Sequence, residues 1–211
     1  MPQTDGERAL ADLKRLADFG RYQTGVHRPT YSKEDVASRH WLAEQFAAAG
    51  LDPVIDGIGN VIGRNPHGTR RLLVGSHSET QPRGGWLDGA LGVIYALELA
   101  RAFAADPALN GLAIEPIAWA DEEGHFGNML GSRSFTGALP ESEIEAGRSR
   151  DGVPLAPRSP KPGLPAARAS SSIPAVMSAT SKLISSRATC STDRARRSGL
   201  SRRSLATGTT G

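Results

Sequence analysis

The stretches GSHSETQPRGGWLDGALGV (Gly75–Val93) and WADEEGHFGNMLGSRSFTG (Trp119–Gly137) decide how this chain folds. Each opens where a short apolar run ends. Arg71–Ser76 reads as a strand whose continuous apolar centre, Leu72–Val74, is the pattern of a buried parallel strand. Gly89–Ala105 reads as a helix stopped by Asp106-Pro107, and Leu112–Ala120 reads as the next strand. Strand, helix and strand with short connections predict a right-handed βαβ unit. The class is α/β, with helices covering both faces of a sheet. In open sheets of this kind ligands bind beyond the carboxyl ends of the strands. His77 follows the first strand, Glu122 and Glu123 follow the second, and Asp88 stands at the entry to the helix between them.

Imidazole nitrogen together with carboxylate oxygen suits zinc or a similar divalent ion. Asp88 has two oxygens and could bridge two ions about 3.5–4 Å apart. Of two adjacent glutamates, one could ligate while its neighbour takes a proton from water. Each residue also has a plainer reading. Asp88 could cap the helix that follows it, Glu122–Glu123 could be a solvated loop, and His77 could be a hydrogen-bonded structural histidine. Their convergence favours the metal site, because Gly75, Gly84, Gly85 and Gly89 let the backbone approach closely. His125 could face a substrate but reads as a loop histidine without a role. His27, His40 and His67 fall on a loop, a helix and a turn and are not read as ligands.

Outward from this centre, Glu7–Phe19 is predicted to be an amphipathic helix ended by Gly20. Tyr22–Tyr31 reads as a loop. Ser32 starts a second helix with Glu34 and Asp35 in its first turn, and Val36, Trp41, Leu42 and Phe46 are its expected buried stripe. Gly50 stops it. Pro53–Arg64 is β-like. Its glycines, Gly57, Gly59 and Gly63, do not fit a dinucleotide loop and read as a turn between strands. Asn65–Gly68 is a second turn, and Asn128–Thr136 and Glu141–Ala146 are short helices.

Composition divides the chain. A mean hydropathy of -0.33 is ordinary for a globular protein. Residues 156–211 carry ten Lys and Arg against the single acid Asp193, twelve serines and no aromatic residue. A division into a folded part, 1–155, and a disordered basic Ser/Arg/Pro-rich tail, 156–211, follows. No secretory signal or membrane span is legible, and one cysteine fits a reducing cytoplasm. The tail lacks aromatic residues for base stacking, so nucleic acid is not an expected partner, and neither is a membrane.

The motifs GSH-x-E, GGWLDGALGV, DEEG and MLGSRSFTG, in that order, resemble the hydantoinase/carbamoylase branch of the M20 metallopeptidase superfamily. That branch includes N-carbamoyl-L-amino acid hydrolases and allantoate amidohydrolases. GNVIGR at Gly59–Arg64 and the Glu34–Leu42 helix add to the likeness, which covers about residues 7–155. The resemblance implies a three-layer α/β/α zinc-hydrolase domain of the phosphorylase/hydrolase type, present as its N-terminal part only. It implies two divalent ions, zinc or else manganese, cobalt or nickel. His77 would ligate the first ion, Asp88 would bridge both, Glu123 would ligate the second and Glu122 would be the general base. The expected reaction is hydrolysis of a carbamoyl or ureido C–N bond in a small molecule, with aminoacylase or dipeptidase chemistry and a non-catalytic fragment as alternatives. The family's homodimer is not expected here, because its dimerisation domain is missing.

Glu79 departs from the family, which has aspartate two residues after the histidine to orient the imidazole. The family's further histidines, one of them in an EAHIEQG motif, are absent as well, so the coordination set is expected to be incomplete. Lys182–Ala188 can be encoded so that a one-base regrouping reads EAHIEQG. Residues 156–211 are therefore expected to be an out-of-frame translation, a reading that the coding DNA tests directly.

Overall fold

The computed structural model describes residues 2–67, 69–109 and 111–155, all within one compact unit that spans Met1–Ser170. The expectations for residues 156–211 lie outside the described residues.

Helix α1 (Gly6–Asp18) opens on Asp5, whose side chain accepts the Arg8 N–H and so satisfies one of the free donors of the first turn. Its buried residues Ala9, Leu13, Leu16 and Ala17 repeat at helical spacing. Gly20, at φ 87°, turns the chain away. The expected loop that follows holds a small antiparallel pair, β1 (Arg21–Tyr22) with β2 (Gly25–Val26). Helix α2 (Lys33–Ala48) begins at Ser32, whose hydroxyl accepts the Asp35 N–H. β3 (Asp52–Ile55) and β4 (Val61–Arg64) pair antiparallel across the glycine-rich turn, as read from the sequence. β5 (Arg70–His77) runs parallel to β6 (Leu112–Trp119), with α3 (Ala90–Ala104) between them in the chain. The short helices α4 (Leu130–Phe135) and α5 (Glu141–Ala146) follow.

The larger sheet has the order β3-β4-β6-β5, antiparallel except for the β6–β5 pair. Its core side is shared by the three long helices. Val61 and Gly63 of β4, Ile114 and Ala118 of β6, and Leu72 and Val74 of β5 alternate toward Leu13 and Leu16, Leu42 and Phe46, and Val93 and Leu97. At roughly 1.5–3 kcal/mol per buried large apolar side chain, this face is the main stabilising layer. The opposite face meets α4, where Phe135 packs edge-on against Trp119 at 5.3 Å. Among the described residues β5 is an edge strand and only half-buried, although its apolar run reads as one enclosed on both sides.

The face of α2 differs from its expected stripe. Val36 is 43% exposed, while Asp35, Ser38 and Arg39 are buried in line with Leu42 and Phe46. The spacing is helical, but the residues at one end are charged. An apolar pattern therefore points to the wrong residue there.

Candidate metal centre

The βαβ unit places the chemistry. His77 is the last residue of β5 and is paired with Trp119, the last of β6. Beyond β6 the chain turns sharply at Asp121, a non-glycine residue at φ 56°. The Asp121 carboxylate accepts the backbone N–H groups of His125, Phe126 and Gly127, which closes the loop carrying Glu122 and Glu123. Burial holds the Asp121 carboxyl above the usual carboxylate range, opposed by these bonds.

Asp88 does not cap α3. The cap position is Gly89, at φ 67° and without a side-chain capping bond, so the Asp88 carboxylate remains exposed and available. Gly89 is required for a second reason. A Cβ there would lie 2.4 Å from the His77 ring, closer than any side chain tolerates. The glycine lets the start of α3, and Asp88 with it, close onto the imidazole.

The expected cluster forms. One ligand atom each from His77, Asp88 and Glu123 lie within 4.8 Å of one another. Atoms sharing a zinc ion at about 2.0–2.2 Å can be at most about 4.4 Å apart, so a small inward movement of side chains suffices. The donor chemistry also fits. His77 Nδ1 lies 3.0 Å from the Glu79 carbonyl oxygen. A carbonyl can only accept, so Nδ1 carries the proton and Nε2 presents a free lone pair, the tautomer a metal needs. Glu122 Oε2 lies 3.4 Å from that same Nε2. Glu123 is held by Gln81, whose amide donates to its carboxylate at 2.8 Å and to its carbonyl at 3.0 Å. Among the described residues three donors converge, fewer than the roughly four that a single zinc takes. His125 lies outside the cluster, stacked edge-on against Phe126. His27, His40 and His67 are exposed and lie outside it too. A cavity of about 700 Å³ lined by Gln3, Arg8 and Arg101 shares no residue with the centre.

Behind the cluster lies a layer that apolar patterning passes over. Glu79 is fully buried. Its carboxylate accepts Arg39 Nη2 at 3.2 Å and the Glu122 N–H at 2.6 Å, while Oε1 stays 3.9 Å from His77 Nδ1. Its side chain does not orient the imidazole; its backbone carbonyl does. Arg39 also donates to Asp35 at 2.9 Å and to the Gly59 carbonyl at 2.6 Å. Burial opposes the Arg39 cation, yet Asp35 and Glu79 outweigh it and raise its pKa above the ordinary value. Burial raises the Glu79 carboxyl, and Arg39 pulls it back. Arg28 is enclosed with its guanidinium on the carbonyls of Leu16, Phe19 and Ser78, which ties the end of α1 to the segment after β5. Burial pushes its pKa down to about 10. Asp35 and Arg39 have a signal in sequence, since they stand four apart in line with Leu42 and Phe46. Arg28, Gln81 and Asp121 have none.

The sequence model of peptidase family M28 matches residues 60–185. This differs from the M20 label drawn from the motifs, while the individual relatives are carbamoylases and their kin. The chain is 35% identical over 159 residues to the N-carbamoyl-L-amino-acid amidohydrolase of Paenarthrobacter aurescens, covering 72% of this chain and 38% of that protein. It is 32% identical over 146 residues to the allantoate deiminase of Arabidopsis thaliana, covering 66% of this chain and 28% of the relative. A crystal structure of an amidase of the hydantoinase/carbamoylase family from Burkholderia phymatum superposes with a TM-score of 0.73 at 46% identity, over 75% of this chain and 39% of that one. The chain thus spans well under half the length of these proteins.

Proposed function

This chain belongs to peptidase family M28, and from that premise we propose that it carries the metal-holding part of an amidohydrolase of the hydantoinase/carbamoylase branch that resembles the M20 superfamily. The substrate class is a small molecule with a carbamoyl or ureido group, such as an N-carbamoyl amino acid or an allantoate-like compound. The observation that carries the reading is the convergence of His77, Asp88 and Glu123 within 4.8 Å at the carboxyl rim of a parallel strand pair. The names of the relatives supply the reaction class.

In this reading His77 Nε2, Asp88 and Glu123 are the residues that would hold the divalent metal, zinc or else manganese, cobalt or nickel. When bound, such an ion supplies Lewis acidity near neutral pH. Glu122 is the general base. It accepts the proton of the attacking water and delivers it to the leaving nitrogen as the C–N bond breaks. The Glu79 carbonyl keeps His77 in the ligating tautomer, and the Gln81 amide keeps Glu123 aimed. A cytoplasmic setting belongs to the same proposal. No described helix is long and apolar enough to cross a membrane.

Zinc titration of the purified chain tests this. Binding in the wild type, weakened about a hundredfold or more by His77→Ala or Asp88→Asn with the fold intact, is the expected result; no zinc binding at all would sink the reading. With three donors among the described residues, the expected affinity is weak and turnover on N-carbamoyl amino acids is slight. The peptidase family match favours a second reading, aminoacylase or dipeptidase chemistry at the same centre. Turnover of dipeptides in preference to N-carbamoyl amino acids and allantoate would establish it.

A further inference from the structure

Resting on the reading that this cluster holds a divalent cation, we infer that Glu79 locks the ligand His77 and the base Glu122 into one frame, and that Arg39 of α2 is the positioning residue that holds Glu79 in place. His77 and Glu122 come from the ends of different strands, and nothing in the β5–β6 ladder itself fixes the loop after Trp119. Glu79 spans the gap with both of its halves. Its backbone carbonyl takes the Nδ1 proton of His77 at 3.0 Å, and its side chain takes the peptide N–H of Glu122 at 2.6 Å. The second carboxylate oxygen is engaged by Arg39 Nη2 at 3.2 Å. The extra methylene that separates glutamate from the family's aspartate thus has a use. The Oε1 that stays 3.9 Å from the imidazole reaches the base instead.

Arg39 suits this task because a planar fork can face three acceptors at once. Here they are the Asp35 carboxylate, the Gly59 carbonyl and Glu79. All three charged side chains are enclosed, with 4% or less of each exposed. Enclosed ion pairs are poor stabilisers compared with apolar packing, so geometry at the rim is the function this one serves. Asp35 anchors the arginine from the preceding turn of α2, which places the helix in direct mechanical connection with the metal centre.

Amide hydrogen exchange of the metal-free full chain, read by NMR at Glu122, tests the lock together with zinc titration. In Glu79→Asp the shorter side chain cannot reach both partners. The Glu122 amide should lose about tenfold of its protection, and zinc affinity should fall about 10–100-fold. Glu79→Gln keeps an oxygen acceptor and should lose less at Glu122 than Glu79→Asp does, a ranking that a purely structural role would not produce. Arg39→Lys should follow Glu79→Asp; if it does not fold, Glu79→Asp decides alone. The amides of Ile114 and Ile117 in β6 should stay as in the wild type. Unchanged protection at Glu122, an equal loss at Ile114 and Ile117, or an opened Glu122 with unchanged zinc affinity would each overturn the inference. A wild-type chain that protects Glu122 through Glu79 yet binds no zinc refutes the proposed function and supports the lock.

Discussion

The two halves of the buried face of α2 do different work. Toward its C-terminal end, Leu42 and Phe46 are fully enclosed and join the apolar cluster under the sheet. Toward its N-terminal end, Asp35, Ser38 and Arg39 occupy the continuation of the same face, and Arg39 reaches Glu79 behind the candidate metal centre. One half contributes cohesion by removing apolar area from water. The other encloses charge, which costs desolvation and gains direction. A helix can thus be a core element at one end and part of a site at the other, with no break in its geometry.

The sharpest way to break this contrast is to strand the charges. Arg39→Met leaves Asp35 and Glu79 enclosed beside no cation and should cost about 3–5 kcal/mol in urea denaturation. Replacing Asp35, Arg39 and Glu79 together by apolar residues of like volume should recover most of that loss while zinc binding stays impaired; a triple variant with wild-type zinc affinity would erase the distinction between the halves. Leu42→Ala at the apolar end should cost about 3 kcal/mol through its cavity and leave zinc affinity within about twofold, since its side chain belongs to the apolar cluster and makes no hydrogen bond to the network. Gly89→Ala should cost about 1–3 kcal/mol from its left-handed backbone, with zinc binding reduced because the new methyl meets the His77 ring. Val36→Ala, on the exposed side, should change stability by no more than about 0.5 kcal/mol.

The same contrast explains what the sequence revealed. β5, α3 and β6 were legible because apolar runs of strand and helix length alternate there with glycine and proline stops. His77, Asp88, Glu122 and Glu123 were legible because the ends of those elements can only converge on one rim. The C-terminal half of the α2 face was legible for the same reason. Its other half was not, because apolar patterning is silent about a face whose buried members are Asp35 and Arg39, and Val36 was read in their place. Gln81 and Arg28 act through contacts between segments far apart in sequence, 42 residues for Gln81 and Glu123 and 50 for Arg28 and Ser78. No local spacing encodes such contacts.

The two neighbouring glutamates are flanked by left-handed residues, Asp121 at φ 56° and Gly124 at φ 68°. Glu122 and Glu123 are the same amino acid, so under the proposed function nothing in their own chemistry separates proton carrier from ligand. The proposed division of labour would then be written in the path of the main chain. A one-residue deletion inside this bend would therefore hand one side chain the address of the other and leave a post unfilled, even though a glutamate survives.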